Sequence, residues 1–394
     1  MASMKEANRP MCLSFTSLLL VTTNLFVTEA EAQPAAEPVV ALELAPTEVN
    51  PRNSEGDFIR LQDGSILLIY THFTGGVGDD AVAHLASRIS SDEGKTWSSR
   101  DQLVLANEGA ENVMSVSLHR LDDGRIALFY LRKNSLDDCR PRIRFSEDEA
   151  ETWSEPVEII PDDLIGYYVV NNDRLVELES GRLIFPAARH NNPSLEKFSG
   201  HGVLICFFSD DDGRTWQKAE SEWDGTPAPD NDAITGRTML QEPGIVQRRD
   251  GSLLMFVRTN GGSQFFSESN DEGNTWTRPV PSPLISPVSP ATIERVPQTG
   301  ELVAIWNDHS DIPGDLAGKR TPLSLSTSPD EGKTWHPSRT LFDSPSGWYC
   351  YTALMFTDDD HLLLAHCAGD RTRENGLART HVTRVPVSWL PGDR

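Results

Sequence analysis

The sequence predicts an all-β fold, a six-bladed β-propeller of four-stranded antiparallel blades with Asp-box turns. Three observations predict it: an octapeptide repeated five times, six apolar hairpins set between its copies, and no helix-period segment or linker beyond the N-terminal leader. The octapeptide, Ser-x-Asp-x-Gly-x-Thr-Trp, occupies Ser90–Trp97, Ser146–Trp153 with Ala150 in the glycine place, Ser209–Trp216, Ser269–Trp276 and Ser328–Trp335. Its tryptophans stand 56, 63, 60 and 59 residues apart, a period that belongs to repeated supersecondary units. Each box has a scaffold task. Ser and Asp side chains cap backbone N–H groups in a tight turn, Gly supplies positive φ, and Trp fills the gap between neighbouring sheets.

The elements follow in chain order. Residues 1–32 read as a signal peptide: Lys5 and Arg9 precede an apolar run from Met11 to Val27, and Ala30-Glu31-Ala32 offers a small-x-small cleavage site before Gln33. The run is short for a membrane span and is interrupted by Ser and Thr, so no stable membrane insertion is expected once it is removed. The mature chain, 33–394, is expected to be one propeller domain, secreted or periplasmic.

Six hairpins come next, each two apolar runs joined by a tight turn. They are Ile59–Tyr70, Ser117–Tyr130, Leu175–Pro186, Ile245–Val257, Ile293–Trp306 and Leu354–Cys367. Each of the first five continues into a strand, an Asp box and a fourth strand. The last has no box but runs on through His381–Val385, and Val39–Leu44 from the other end of the chain can supply its outer strand. Joining the termini in one sheet closes a propeller, whereas a solenoid needs polar capping repeats.

Composition narrows the partners. A formal charge of −24 over 394 residues argues against nucleic acid or an anionic membrane, and makes any cluster of arginines conspicuous. Of five cysteines, Cys12 lies in the leader; Cys206 and Cys367 sit in apolar runs and read as buried thiols, with one disulfide left open among the remaining four. The acidic runs Asp210–Gly213 and Asp358–Asp360 lack the bidentate Glu of a calcium loop. No metal site and no cofactor are expected.

Ligands of a propeller sit at one end of its axis, beside the ends of the first hairpins. Those positions here are polar: Arg52, Glu55 and the loop Thr74–Asp80; Glu111-Asn112 and Arg132–Asn134; Tyr167-Tyr168, Asn171–Arg174 and Arg189-His190; Glu242 and Arg258; Asn307–His309 and Arg320; Tyr349 and Tyr351. Several arginines converging in an acidic protein repel one another unless an anion offsets them, and a carboxylate bound bidentately is the simplest such anion.

With these landmarks the mature chain resembles the sialidase superfamily. Glu242-Pro243 followed by Arg258 in Met255–Arg258 is similar to the Glu and Arg of the family's fourth blade. Arg320 holds the place of the arginine before the last box, and Tyr351-Thr352 that of the Tyr-Ser pair opening the last inner strand, with Tyr349 as the rival. The resemblance implies a retaining glycoside hydrolase in which Tyr351 is the nucleophile, Glu242 its base, and Asp79 in the pliable glycine-rich loop the acid/base, with Asp80 as its rival. It implies an acidic glycan or sialoglycoconjugate as substrate, clamped by Arg52, Arg258 and Arg320, with Asn172, Asp173 and Arg189 positioning the sugar.

The chain departs from the family at the first arginine. Instead of Arg-Ile-Pro it reads Arg52-Asn53-Ser54-Glu55-Gly56-Asp57, with Arg52 two residues further from the hairpin turn and two carboxylates beside it. That points to a branch whose acidic sugar can differ. Two readings compete with hydrolysis: a polysaccharide lyase abstracting the proton α to a uronate carboxylate, and a non-catalytic carbohydrate-binding propeller.

Overall fold

The protein was analysed as a computed structural model, which describes residues 37–192, 198–226 and 238–392. The leader 1–32 and the start of the mature chain at Gln33 lie outside the described residues. The described chain is all-β, with three single-turn 3₁₀ segments. Among the described residues no helix is long and apolar enough to cross a membrane.

Four sheets contain four strands each, paired antiparallel with their neighbours. The first runs through Arg52–Arg60, Ile66–Phe73, Ala83–Ser90 and Gln102–Leu105. Another holds Leu240–Gln247, Leu253–Thr259, Ser263–Ser269 and Val280–Ile285, and the next Thr292–Arg295, Leu302–Trp306, Leu323–Ser328 and Arg339–Phe342. The last is built from Gly347–Phe356, His361–Asp370 and Thr380–Pro386, and Val39–Leu44 completes it from the opposite end of the chain.

The region between the first and the second of these departs from the expected six separate sheets. One nine-stranded sheet runs from Asn112–Arg120 to Gln217–Trp223, so the described residues form five sheets. The cause is local: the parallel pairing of Tyr167 with Cys139 bridges two antiparallel groups of strands. The inner strand of the second group is also split, into Tyr167–Val169 and Val176–Glu177, both paired to Leu183–Asn191.

The Asp boxes do what their composition predicts. In the first, Ser90 Oγ donates to Asp92 Oδ1 at 2.8 Å and accepts from the Gly94 N–H at 2.9 Å, while the Thr96 N–H and hydroxyl donate to the two Asp92 oxygens at 2.9 and 2.7 Å. The glycine place is left-handed in all five boxes, and Ala150 adopts φ 68° there. The core lies between sheets: Trp276 packs with Leu178, Ile184 and Leu253, and Phe58 and Leu68 of the first sheet pack with Leu363 and Val382 of the last. Each such fully buried aliphatic side chain contributes about 1.5–3 kcal/mol. All four described cysteines are buried free thiols.

Candidate active site

The innermost strands share a distortion that places chemistry. Four of them carry a β-bulge, between Ser54 and Asp57, Met114 and Ser117, Gln241 and Gly244, and Cys350 and Ala353. Within each bulge one non-glycine residue is left-handed: Glu55 (φ 55°), Ser115 (58°), Glu242 (42°) and Tyr351 (55°). Such residues cost about 1–2 kcal/mol each and persist where the surroundings hold them, and bulges re-aim side chains. All four line a single cavity of about 340 Å³. Each stands nine residues before the left-handed residue of its hairpin turn, Gly64, Gly124, Gly251 and Asp360.

At one side of this cavity the Tyr351 hydroxyl donates to Glu242 Oε1 at 3.2 Å, and Arg258 Nη1 donates to the same oxygen at 2.6 Å. Burial pushes the Glu242 carboxyl up, but the Arg258 and Arg320 charges more than offset it and leave it below its ordinary range. Burial, then the Glu242 charge, push the Tyr351 phenol well above its ordinary value. The pair is therefore a neutral phenol beside an ionised carboxylate, the arrangement a phenolic nucleophile with a base requires. Tyr349, the rival, packs instead against Phe342 at 5.5 Å in the core.

Arg320 lines the cavity, 7% exposed, over the rings of Trp348 at 5.2 Å and Tyr351 at 5.4 Å. The Cys350 thiol lies beside the guanidinium, and Nε and Nη1 have no oxygen or nitrogen hydrogen-bond partner. Buried guanidinium donors are nearly always satisfied, so a guanidinium at the cavity wall with donors to spare is suited to an anion.

Arg52 is placed differently. Fully buried and stacked on Phe73 at 4.2 Å, it donates to Glu55 Oε1 at 2.7 Å and Asp79 Oδ1 at 2.6 Å. Its positive charge is thus shared between two carboxylates of the protein itself. Burial raises the Glu55 carboxyl above its ordinary range despite Arg52, and Ser115 Oγ donates to its second oxygen at 2.5 Å. Asp79, its side chain 58% exposed, faces the cavity. Partial desolvation at the cavity pushes its carboxyl up, but the Arg52 charge and hydrogen bond bring it below the ordinary carboxylate range.

The three sugar-positioning candidates do not line this cavity. Asn172 is buried beneath it, donating to the carbonyls of Gly56 at 2.8 Å and Tyr351 at 3.2 Å, a scaffold role. Asp173 lies in a second cavity of about 370 Å³ with Asp57 and Glu294. Arg189 pairs with Glu222 at 3.1 Å, because alternation along its strand turns it away and brings His190 to the cavity instead. Tyr167 and Asn171, both among the polar positions read from the sequence, also line the cavity, as do Gln241, Trp348 and the apolar Met114 and Leu131, whose types carry no chemical signal in sequence. Among the described residues no group of three or more His, Cys, Asp or Glu is set to hold a metal ion.

The model of the BNR repeat-like domain matches residues 106–364. The chain belongs to that family, within the sialidase superfamily. A sialidase of Clostridium perfringens is 26% identical over 244 residues, covering 55% of this chain and 58% of that protein. An anhydrosialidase of Macrobdella decora is 28% identical over 276 residues, 65% of this chain and 33% of its own length. The chain thus spans just over half of the first relative and a third of the second. Among solved structures, a sialidase of Streptococcus pneumoniae superposes with a TM-score of 0.67 at 14% identity, covering 90% of this chain and 71% of the other. The all-β fold is that of sialidase-like β-propellers.

Proposed function

We propose that the protein is an exo-acting glycoside hydrolase that releases a terminal acidic sugar, sialic acid or a relative of it, with retention of configuration. The observation that carries this reading is the Tyr351 hydroxyl 3.2 Å from an ionised Glu242, in a cavity whose wall also holds Arg320 with donors to spare. The substrate carboxylate would lie against Arg320 and Arg258. An anionic nucleophile is repelled by a carboxylate on the reacting carbon, and a neutral phenol is not.

The steps then follow. Tyr351 Oη attacks the anomeric carbon while Glu242 Oε1 takes the phenolic proton, and Asp79 protonates the departing glycosidic oxygen. Water next attacks the same carbon and breaks its bond to Tyr351 Oη; the Asp79 carboxylate receives the water's proton, and Glu242 returns the phenolic proton to Tyr351. Arg52 holds Asp79 ionised in the free protein, so Asp79 must gain its proton with the substrate, whose negative charge offsets part of the arginine field. Catalytic efficiency is accordingly expected to decline as pH rises, beginning below the ordinary carboxylate range where the free Asp79 carboxyl loses its proton.

The nine-stranded sheet is two blades joined at Tyr167 and Cys139, which with the four other sheets makes a six-bladed propeller. Core clusters between the first and last sheets support closure of that ring. Export by cleavage of residues 1–32, leaving the domain 33–394, is proposed from the leader composition.

The test is hydrolysis of a fluorogenic α-sialoside by the mature protein beside Tyr351→Phe. Turnover by the parent, lost by at least about 10³-fold in the variant, is expected. A folded parent that binds but does not turn over any acidic glycoside would refute the hydrolase reading.

A further inference from the structure

The glycine-rich loop carrying Asp79 is expected from its composition to be pliable, yet the structure pins it. Inside the loop, the Thr74 and Gly75 N–H groups donate to the Val82 carbonyl at 2.8 and 3.1 Å, and the Ala81 N–H donates to the Gly78 carbonyl at 3.1 Å. From the neighbouring sheet, Asn112 Nδ2 donates to the carbonyls of Asp79 at 2.8 Å and Ala81 at 2.9 Å. Lys133 Nζ donates to the same Asp79 carbonyl at 3.0 Å.

Asn112 and Lys133 are register partners on adjacent strands. Their exposures are 0% and 3%, and neither lines the cavity. A lysine is rarely buried to that degree, and the placement of this ammonium is specific: against a carbonyl, 3.5 Å from Glu111 Oε2 and 5.2 Å from the Tyr167 ring centroid. Two donors rooted in one rigid strand pair thus hold one carbonyl of a loop whose side chain faces the reaction space.

We propose that Asn112 and Lys133 are positioning residues: together they grip the Asp79 main chain and so aim its carboxyl at the leaving-group oxygen of an acidic glycoside. This rests on the reading of Asp79 as acid/base. Because the leaving group departs in the transition state, loosening the grip lowers kcat more than it changes KM. Each residue leaves the carbonyl one remaining donor when the other is removed, so the double variant is the more severe.

The experiment compares Asn112→Ala, Lys133→Met and their combination on two glycosides of the same acidic sugar, one with an aryl leaving group and one with a sugar leaving group. A poor leaving group depends on the acid; a good one does not. The double variant is expected to lose about 10- to 100-fold in kcat on the sugar glycoside, and less than about threefold on the aryl glycoside, at similar KM. Equal losses on both substrates would overturn the proposal in favour of a general structural role.

The pH profile separates the two residues. Asp79 is faced by Arg52 and Glu55 from the first sheet, Lys133 and Glu111 from the next, Tyr167 beyond them, and Arg320 across the cavity. Lys133→Met removes a positive charge and should move the Asp79 limb to higher pH; Lys133→Arg should restore it, and Asn112→Ala should leave it in place. An unmoved limb in Lys133→Met counts against the assignment. Hydrogen exchange over Thr74–Val82 reads the grip without turnover: faster exchange in the double variant is expected, and unchanged exchange would overturn it. A parent inactive on every acidic glycoside would instead remove the hydrolase reading, leaving the exchange result to decide the grip.

Discussion

Arg320→Met should make the protein more stable and less active at once. In the free protein the Arg320 Nε and Nη1 donors are buried without oxygen or nitrogen partners, and such groups cost about 1–3 kcal/mol each. Methionine has a similar volume and no donors. It forfeits the contacts of the guanidinium with Trp348 at 5.2 Å and Tyr351 at 5.4 Å, about 0.5–1 kcal/mol apiece. Glu242 keeps its 2.6 Å pairing with Arg258, so the substitution strands no carboxylate. The balance runs from about zero to about 5 kcal/mol, a net gain in unfolding free energy. Activity moves the other way. A carboxylate held by two charge-assisted hydrogen bonds loses about 3–6 kcal/mol when both go, or about 10²- to 10⁴-fold in kcat/KM. Urea denaturation and steady-state kinetics on the same preparation read the two effects. A stability loss above about 1 kcal/mol with turnover and ligand affinity intact would mean that Arg320 is a structural arginine, and would refute the anion-site reasoning.

Two further outcomes concern the scaffold. Burial raises the carboxyls of Asp57, Asp173 and Glu294 in the second cavity, so the folded state keeps protons that the unfolded chain releases near its ordinary carboxylate values. Their contribution is fully present below that range and declines as pH rises towards the folded values; urea unfolding across pH 4–8 should show this slope, and Asp173→Asn should flatten it. An unchanged slope would locate the titration elsewhere. Trp276→Ala should cost about 3–5 kcal/mol, because the ring is 6% exposed between two sheets, whereas Asp271→Ala, losing the 2.8 and 2.6 Å hydrogen bonds of Thr275, should cost about 1–2 kcal/mol. Calorimetric unfolding of the pair checks the order, and a reversed order would assign the box to capping rather than to packing.

The sequence by itself determined whatever is local or periodic. The five boxes and the hairpin turns follow from short-range hydrogen bonding and backbone sterics, so Ser90–Trp97 and its copies were legible without coordinates. The outer strand Val39–Leu44 was legible because the last sheet lacked one. Strand-end position offered Glu242, Arg258, Arg320 and Tyr351 among many polar residues gathered at one end of an axis, and they became a set only through the resemblance to the sialidase superfamily. The bulge that aims Glu55, Ser115, Glu242 and Tyr351 inward left a trace as well, the constant nine-residue distance to the turn, but only the structure gives that spacing a meaning.

Tertiary structure decided everything that depends on direction and pairing. Alternation turned His190 inward and Arg189 outward. The split inner strand sent Asp173 to a different cavity from Asn171. Arg52 acquired Glu55 and Asp79 as partners, while Arg320 acquired no oxygen or nitrogen partner for its Nε and Nη1. A sequence lists charges but not which of them meet. Whether an arginine is already satisfied or still open to a substrate is fixed by distances of a few ångströms across separate sheets.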